Sequence, residues 1–183
     1  PMSGLILHHY PTSPFAEKVR LILGHKQLAW KSVFIPMIMP KPDLTALTGG
    51  YRKTPVLQIG ADIYCDTALI CDVLEHLAPA PTLYPEAVKG AARIVAQWAD
   101  SALFTASMAY NFQPAGVAQV FAGAPAEGVQ AFVADRAAMR GGAARMSSTD
   151  AAATYKSYLR RLANMLHGQE FLFGAQPCVA DFA

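Results

Sequence analysis

The segment Ser13-Pro14-Phe15-Ala16-Glu17-Lys18 places a hydroxyl directly before a proline. Proline is favoured at the first position of a helix, so Ser13 is the expected N-cap. Its hydroxyl then sits beside unpaired backbone N–H groups at the positive end of the helix dipole. An anion bound there would be stabilised, although a serine that only caps its helix explains the same residues. A second segment, Thr54-Pro55-Val56, enters a strand after a loop carrying Lys41 and Lys53. With a cis Pro55 bond the Val56 backbone would turn outward, where its N–H and C=O can pair with an extended peptide. Cis bonds make up only about 5 to 6% of X-Pro bonds, so spacing alone predicts a trans proline opening an edge strand. The third segment is Asp66-Thr67, ahead of an apolar helical pattern. Its carboxylate suits a ligand ammonium, while Thr67 and the helix N-terminus suit a ligand carboxylate. An ordinary N-cap accounts for Asp66 as well.

Other reactive side chains form no such pattern. His8, His9, His25, His76 and His167 make no HExxH and no Cys/His cluster, so no metal is expected. Cys65, Cys71 and Cys178 are odd in number and form no CxxC, which argues against a disulfide scaffold and for a reducing compartment, the cytoplasm by default. The glycine motifs of nucleotide-binding loops and serine hydrolases are missing from the sequence.

The frame that must hold these residues follows from composition and periodicity. In 183 residues, 53% are hydrophobic and 15% charged, which predicts a folded chain of one domain or two small ones. The net charge of +2 is spread without a basic stripe, so nucleic acid is not an expected partner. No apolar run reaches the roughly 18 residues of a membrane helix and no leader pattern opens the chain, so no membrane partner is expected. Pro1 ahead of Met2 reads as a remnant of expression. Leu5 to His8 is a strand, residues 15 to 23 an amphipathic helix with Gly24 just past its end, and Trp30 to Ile35 a second strand. This is a βαβ unit with parallel strands and a right-handed crossover. A Pro-rich connection, 36 to 42, leads to a hairpin around Gly60 and a helix over Leu69 to Leu77 capped by Asp66. Residues 78 to 85 are a linker. Beyond it the chain is Ala-rich and helical over about 87 to 109, 126 to 140 and 150 to 167. Cys178 to Asp181 has the form of a capping box with almost no helix after it, so the natural chain is expected to continue past Ala183.

Taken together, Ser13-Pro14-Phe15 through Arg20, Lys53-Thr54-Pro55-Val56-Leu57 and Asp66-Thr67 resemble, in order, three motifs of the cytosolic glutathione transferases. The first is similar to the active-site turn of the tau and omega classes and has the serine of the former. The resemblance implies an α/β thioredoxin-like N-terminal domain, 1-77, a linker, 78-85, and an all-α helical-bundle C-terminal domain, 86-183. It also implies a cis Pro55 and glutathione as co-substrate without a metal. Ser13 would be the catalytic hydroxyl, and Phe15, Lys41, Lys53, Thr54, Pro55, Val56, Asp66 and Thr67 would hold glutathione. Tyr10, Phe104, Met108 and Tyr110, with Trp98 and Phe112, are candidates for an apolar electrophile pocket, although helix packing is the expected role of most. Tyr10 is an alternative to Ser13 at the thiolate. The implied reaction is attack of the glutathione thiolate on an apolar electrophile in a homodimer. A non-catalytic interaction module of the same fold and a glutathione-dependent peroxidase or isomerase are the alternatives.

Overall fold

The computed structural model describes residues 4–183; Pro1 and Met2 lie outside the described residues. Leu5–His9 (β1) buries Leu5 and Leu7, and Pro14–His25 (α1) turns Ala16, Val19, Ile22 and Leu23 onto the same core. Trp30–Phe34 (β2) runs parallel to β1, so α1 is the crossover. Val56–Ile59 (β3) and Asp62–Cys65 (β4) are antiparallel neighbours joined through Gly60, whose φ of +61° a side chain would resist. The sheet order is β2-β1-β3-β4, with β3 antiparallel to β1. Thr67–Leu77 (α3) packs against α1 through Ile70, Cys71 and Leu74. This is the thioredoxin-like arrangement expected from the sequence.

Two local expectations need correction. Gly24 does not follow the helix: α1 runs on to His25, and the chain reverses at Gln27, which takes a φ of +54°. Between Pro36 and Lys53, where no helix is expected, Pro42–Thr48 forms one (α2). Pro42 starts it, Leu44 anchors it with 1% exposure, and the left-handed Gly49 ends it.

The linker is pinned by a buried cation. Lys26 donates to the Ala78 and Pro81 carbonyls at 2.6 and 2.8 Å and to the Glu75 carboxylate at 2.6 Å. Glu75 also accepts from the Thr82 hydroxyl and the Leu83 N–H. The helical half follows as Lys89–Trp98 (α4), a π-helical turn Ala99–Leu103, Phe104–Asn111 (α5), Pro114–Val120 (α6), Ala126–Arg140 (α7), Ser148–Met165 (α8) and Val179–Phe182 (α9). The helix expected over 87 to 109 is thus a single run interrupted by one wide turn. The short α9 is held by Asp181, whose carboxylate accepts from the Leu172 and Cys178 N–H groups, both at 2.8 Å. Among the described residues, no helix is long and apolar enough to cross a membrane.

Candidate active site

The sheet register brings the three motifs to one end. His8, near the exit of β1, pairs with Val56 at the entry of β3, and Val56 pairs with Cys65 at the exit of β4. Ser13, Pro55 and Asp66 therefore all lie at the same end of the sheet. The Thr54–Pro55 bond is cis, against the trans bond that spacing alone predicts. Pro55, Val56 and Leu57 are buried, Lys53 is exposed, and the Thr54 hydroxyl is buried without a partner among the described residues.

Ser13 is the N-cap of α1 and its Oγ accepts from the Ala16 N–H at 3.2 Å. The side chain is 3% exposed, so the hydroxyl faces inward at the helix terminus. Capping uses a lone pair and leaves the hydroxyl hydrogen free to donate. Asp66 caps α3 from a backbone at φ +77°, and its carboxylate accepts from the Ala68 N–H at 2.8 Å. It is exposed, with acceptor capacity to spare. Burial, reinforced by the neighbouring Asp66 charge, raises the pKa of the adjacent Tyr51 phenol.

Thr67 is turned inward. Its Oγ1 accepts from the Lys18 ammonium at 3.2 Å, and the same ammonium meets Asp100 of the π turn at 2.6 Å. Phe15 packs on Phe104 with centroids 4.6 Å apart, so the turn that carries Ser13 is braced by the helical half. On the far side of that turn, Arg20 donates to the Tyr10 and Pro11 carbonyls and to Nδ1 of His9. Burial, then the Arg20 and His8 charges, lower the His9 pKa.

The proposed pocket residues separate. Phe104 lies at the Ser13 turn, whereas Tyr110 meets Tyr155 of α8 at 5.2 Å and Phe112 stacks on Phe132 of α7. Trp98 does not face Ser13. With Leu21, His25, Val95, Leu162 and Phe182 it lines a cavity of about 600 Å³ at the opposite end of α1. Met108 is half-buried in α5. Tyr10 receives a hydrogen bond from Arg136 at 3.1 Å, and Lys41 lies 5.6 Å over its ring. This engages a lone pair of its hydroxyl and leaves the phenol hydrogen free to donate.

Lys41 is 2% exposed and donates to the Arg52 carbonyl at 3.2 Å. Burial, then the Arg52 and Arg136 charges, pull its pKa down to about 8 against the opposing pull of Asp135. Arg52, Asp135 and Arg136 adjoin Lys41, and sequence reasoning missed them. Asp135 of α7 accepts from Arg52 at 2.6 Å with both oxygens, from Arg136 at 2.6 Å and from the Met39 N–H at 3.1 Å. Burial raises its pKa, but these hydrogen bonds and the two guanidinium charges outweigh it and leave the carboxyl below its ordinary value. The only signal in the sequence was the Arg-Lys pair at 52 and 53; the partners stand 83 residues on.

Residues 7–82 match the family model described as glutathione S-transferase, N-terminal domain. A GST-like protein from Pseudomonas syringae is 47% identical and superposes with a TM-score of 0.76, covering 99% of this chain and 55% of its own. Pyrimidodiazepine synthase of Drosophila melanogaster is 31% identical over 90 residues, 46% of this chain and 37% of the relative. A rice glutathione transferase crystallised with glutathione shares the fold at 18% identity and a TM-score of 0.71, over 98% of this chain and 72% of its own. The chain thus spans about half of the Pseudomonas protein, and its match to the Drosophila enzyme spans little more than a third of that protein. With its N-terminal motifs gathered at one end of a thioredoxin-like sheet, residues 7–82 match the N-terminal domain of the glutathione S-transferases, and the chain as a whole is similar to a GST-like protein.

Proposed function

We propose that the protein binds glutathione at this end of the sheet and activates its thiol for attack on an apolar electrophile. The observation that carries the reading is the register, which groups the Ser13 helix terminus, the cis Pro55 with the Val56 backbone, and Asp66 at one end of the sheet. The ligand's chemistry suits each in turn. Its sulfur goes to Ser13, its backbone to Val56, its ammonium to Asp66, and its carboxylates to the α3 N-terminus at Thr67 and to the Lys41 and Lys53 side. Phe15 and Thr54 flank it.

A thiol of pKa about 8.5 is only about 3% ionised at pH 7, and lowering it by two units, roughly 2.7 kcal/mol, makes about three-quarters of it thiolate. Ser13 contributes by donating its hydroxyl hydrogen to sulfur at the positive end of the α1 dipole. The thiol proton leaves to water. The sulfur pair then forms a bond to the electrophilic carbon while the leaving group departs with its own pair. Serine cannot form a mixed disulfide, so conjugation suits this site better than thiol exchange. An apolar co-substrate approaching past Phe15 and Phe104, and assembly as a homodimer, belong to the same reading.

Titration with millimolar glutathione should raise the melting temperature, and an assay with an aryl halide electrophile should show conjugation. Absence of both would favour a non-catalytic interaction module. Binding with peroxide or isomerase turnover but no conjugation would move the reaction to that alternative. Sedimentation equilibrium at the mass of a monomer would remove the homodimer.

A further inference from the structure

Two guanidinium groups converge on one carboxylate where α7 meets the N-terminal domain, and a buried ammonium lies beside them. Arg52 and Arg136 pair with Asp135, whose side chain is 7% exposed, and Lys41 donates to the Arg52 carbonyl. Their donors exceed the acceptors present. The Lys41 ammonium is buried yet has one carbonyl as its hydrogen-bond partner, and it enters no ion pair among the described residues. Arg52 reaches Asp135 through Nη2 alone, and its Nε is buried with no partner among the described residues. The guanidinium edge that would grip a carboxylate with two parallel hydrogen bonds is therefore half used. A buried cation without a counter-charge and a buried donor without an acceptor are both costly, and one incoming carboxylate would relieve both.

We propose that Lys41, Arg52 and Arg136 form a carboxylate subsite shared by the two halves of the chain, that Asp135 occupies it in the free protein, and that a ligand carboxylate binds by displacing Asp135. Resting on the glutathione reading, which directs one ligand carboxylate to the Lys41 side, the carboxylate is taken as that of the glycyl end. Arg136 then becomes a binding residue contributed by the helical half, and α7 a cover whose own acid competes with the ligand. The contacts of α7 on this side fit a removable cover. Besides Asp135, Arg136 donates to the Met37 carbonyl at 3.1 Å and to the Tyr10 hydroxyl, and both can persist while the carboxylate turns away.

Calorimetric titration of the wild-type protein and Asp135→Asn with glutathione and with its glycyl monoethyl ester tests this. Removing the resident charge should tighten glutathione binding about tenfold, the worth of one charge-assisted hydrogen bond, and leave the ester unchanged. Equal or weaker glutathione binding by the variant, or an equal gain for the ester, overturns the proposal. If neither protein binds glutathione, the glutathione reading fails by itself, and titration with succinate decides the subsite. Tighter succinate binding by Asp135→Asn upholds it, and no difference overturns it. Should Asp135→Asn not fold, Asp135→Ser carries the same test.

Discussion

The Lys18 ammonium lies 2.6 Å from the Asp100 carboxylate, and this pair ties the first helix of the N-terminal domain to the π turn of the helical half. Lys18 is 4% exposed, so it depends on that partner. Asp100→Asn should cost roughly 3 kcal/mol, because an uncompensated buried charge remains. It should also loosen Thr67, which accepts from the same ammonium. Urea denaturation reads the loss directly, and a change below about 1 kcal/mol would mean that water already solvates Lys18.

Ser13 has two functions on one oxygen, and they separate by measurement. Ser13→Ala removes the cap of α1 and should cost about 1 kcal/mol of stability. It should also raise the pKa of bound glutathione, seen as loss of thiolate absorbance near neutral pH, with the dissociation constant little changed. A variant that loses stability but keeps full thiolate absorbance would confine Ser13 to capping.

Asp66 likewise caps a helix and, on our proposal, balances the ligand ammonium. Asparagine caps as well as aspartate and tolerates a positive φ, so Asp66→Asn should keep the melting temperature while weakening glutathione binding about tenfold. Asp66→Ala should lose both. Equal affinity in the asparagine variant would contradict the ammonium contact.

Lys41 gives a pH signature with a definite sign. Its pKa falls from 10.5 when free to about 8 in the fold, so between these values the unfolded chain binds more protons than the native one. Stability should therefore rise with pH across that window. Carboxylate binding runs the other way, since the neutral amine offers no charge. S-methylglutathione, which has no titrating thiol, should bind at constant affinity below about pH 8 and more weakly above it. Lys41→Met should flatten both profiles, and an unaltered stability profile in that variant would exclude Lys41 as the titrating group.

What the sequence determined by itself rests on forces that act between near neighbours. The Ser13-Pro14 start of α1, the Asp66 cap of α3, the turn at Gly60 and the helix over 126 to 140 each follow from capping, φ preference or apolar spacing within a few residues. The family motifs were legible for the same reason, being short and contiguous. Tertiary structure decided whatever depended on distant partners. Gly24 stays helical because the turn is made at Gln27 instead, and α2 forms where Leu44 finds a core position. Nothing local to Thr54-Pro55 separates isomers that differ by only about 0.5–1 kcal/mol. Asp135 and Arg136 look like the solvated face of an exposed helix until α7 docks and brings them to Arg52 and Tyr10. Such pairings draw their energy from desolvation and from geometry set across some eighty residues of chain, which no local pattern encodes.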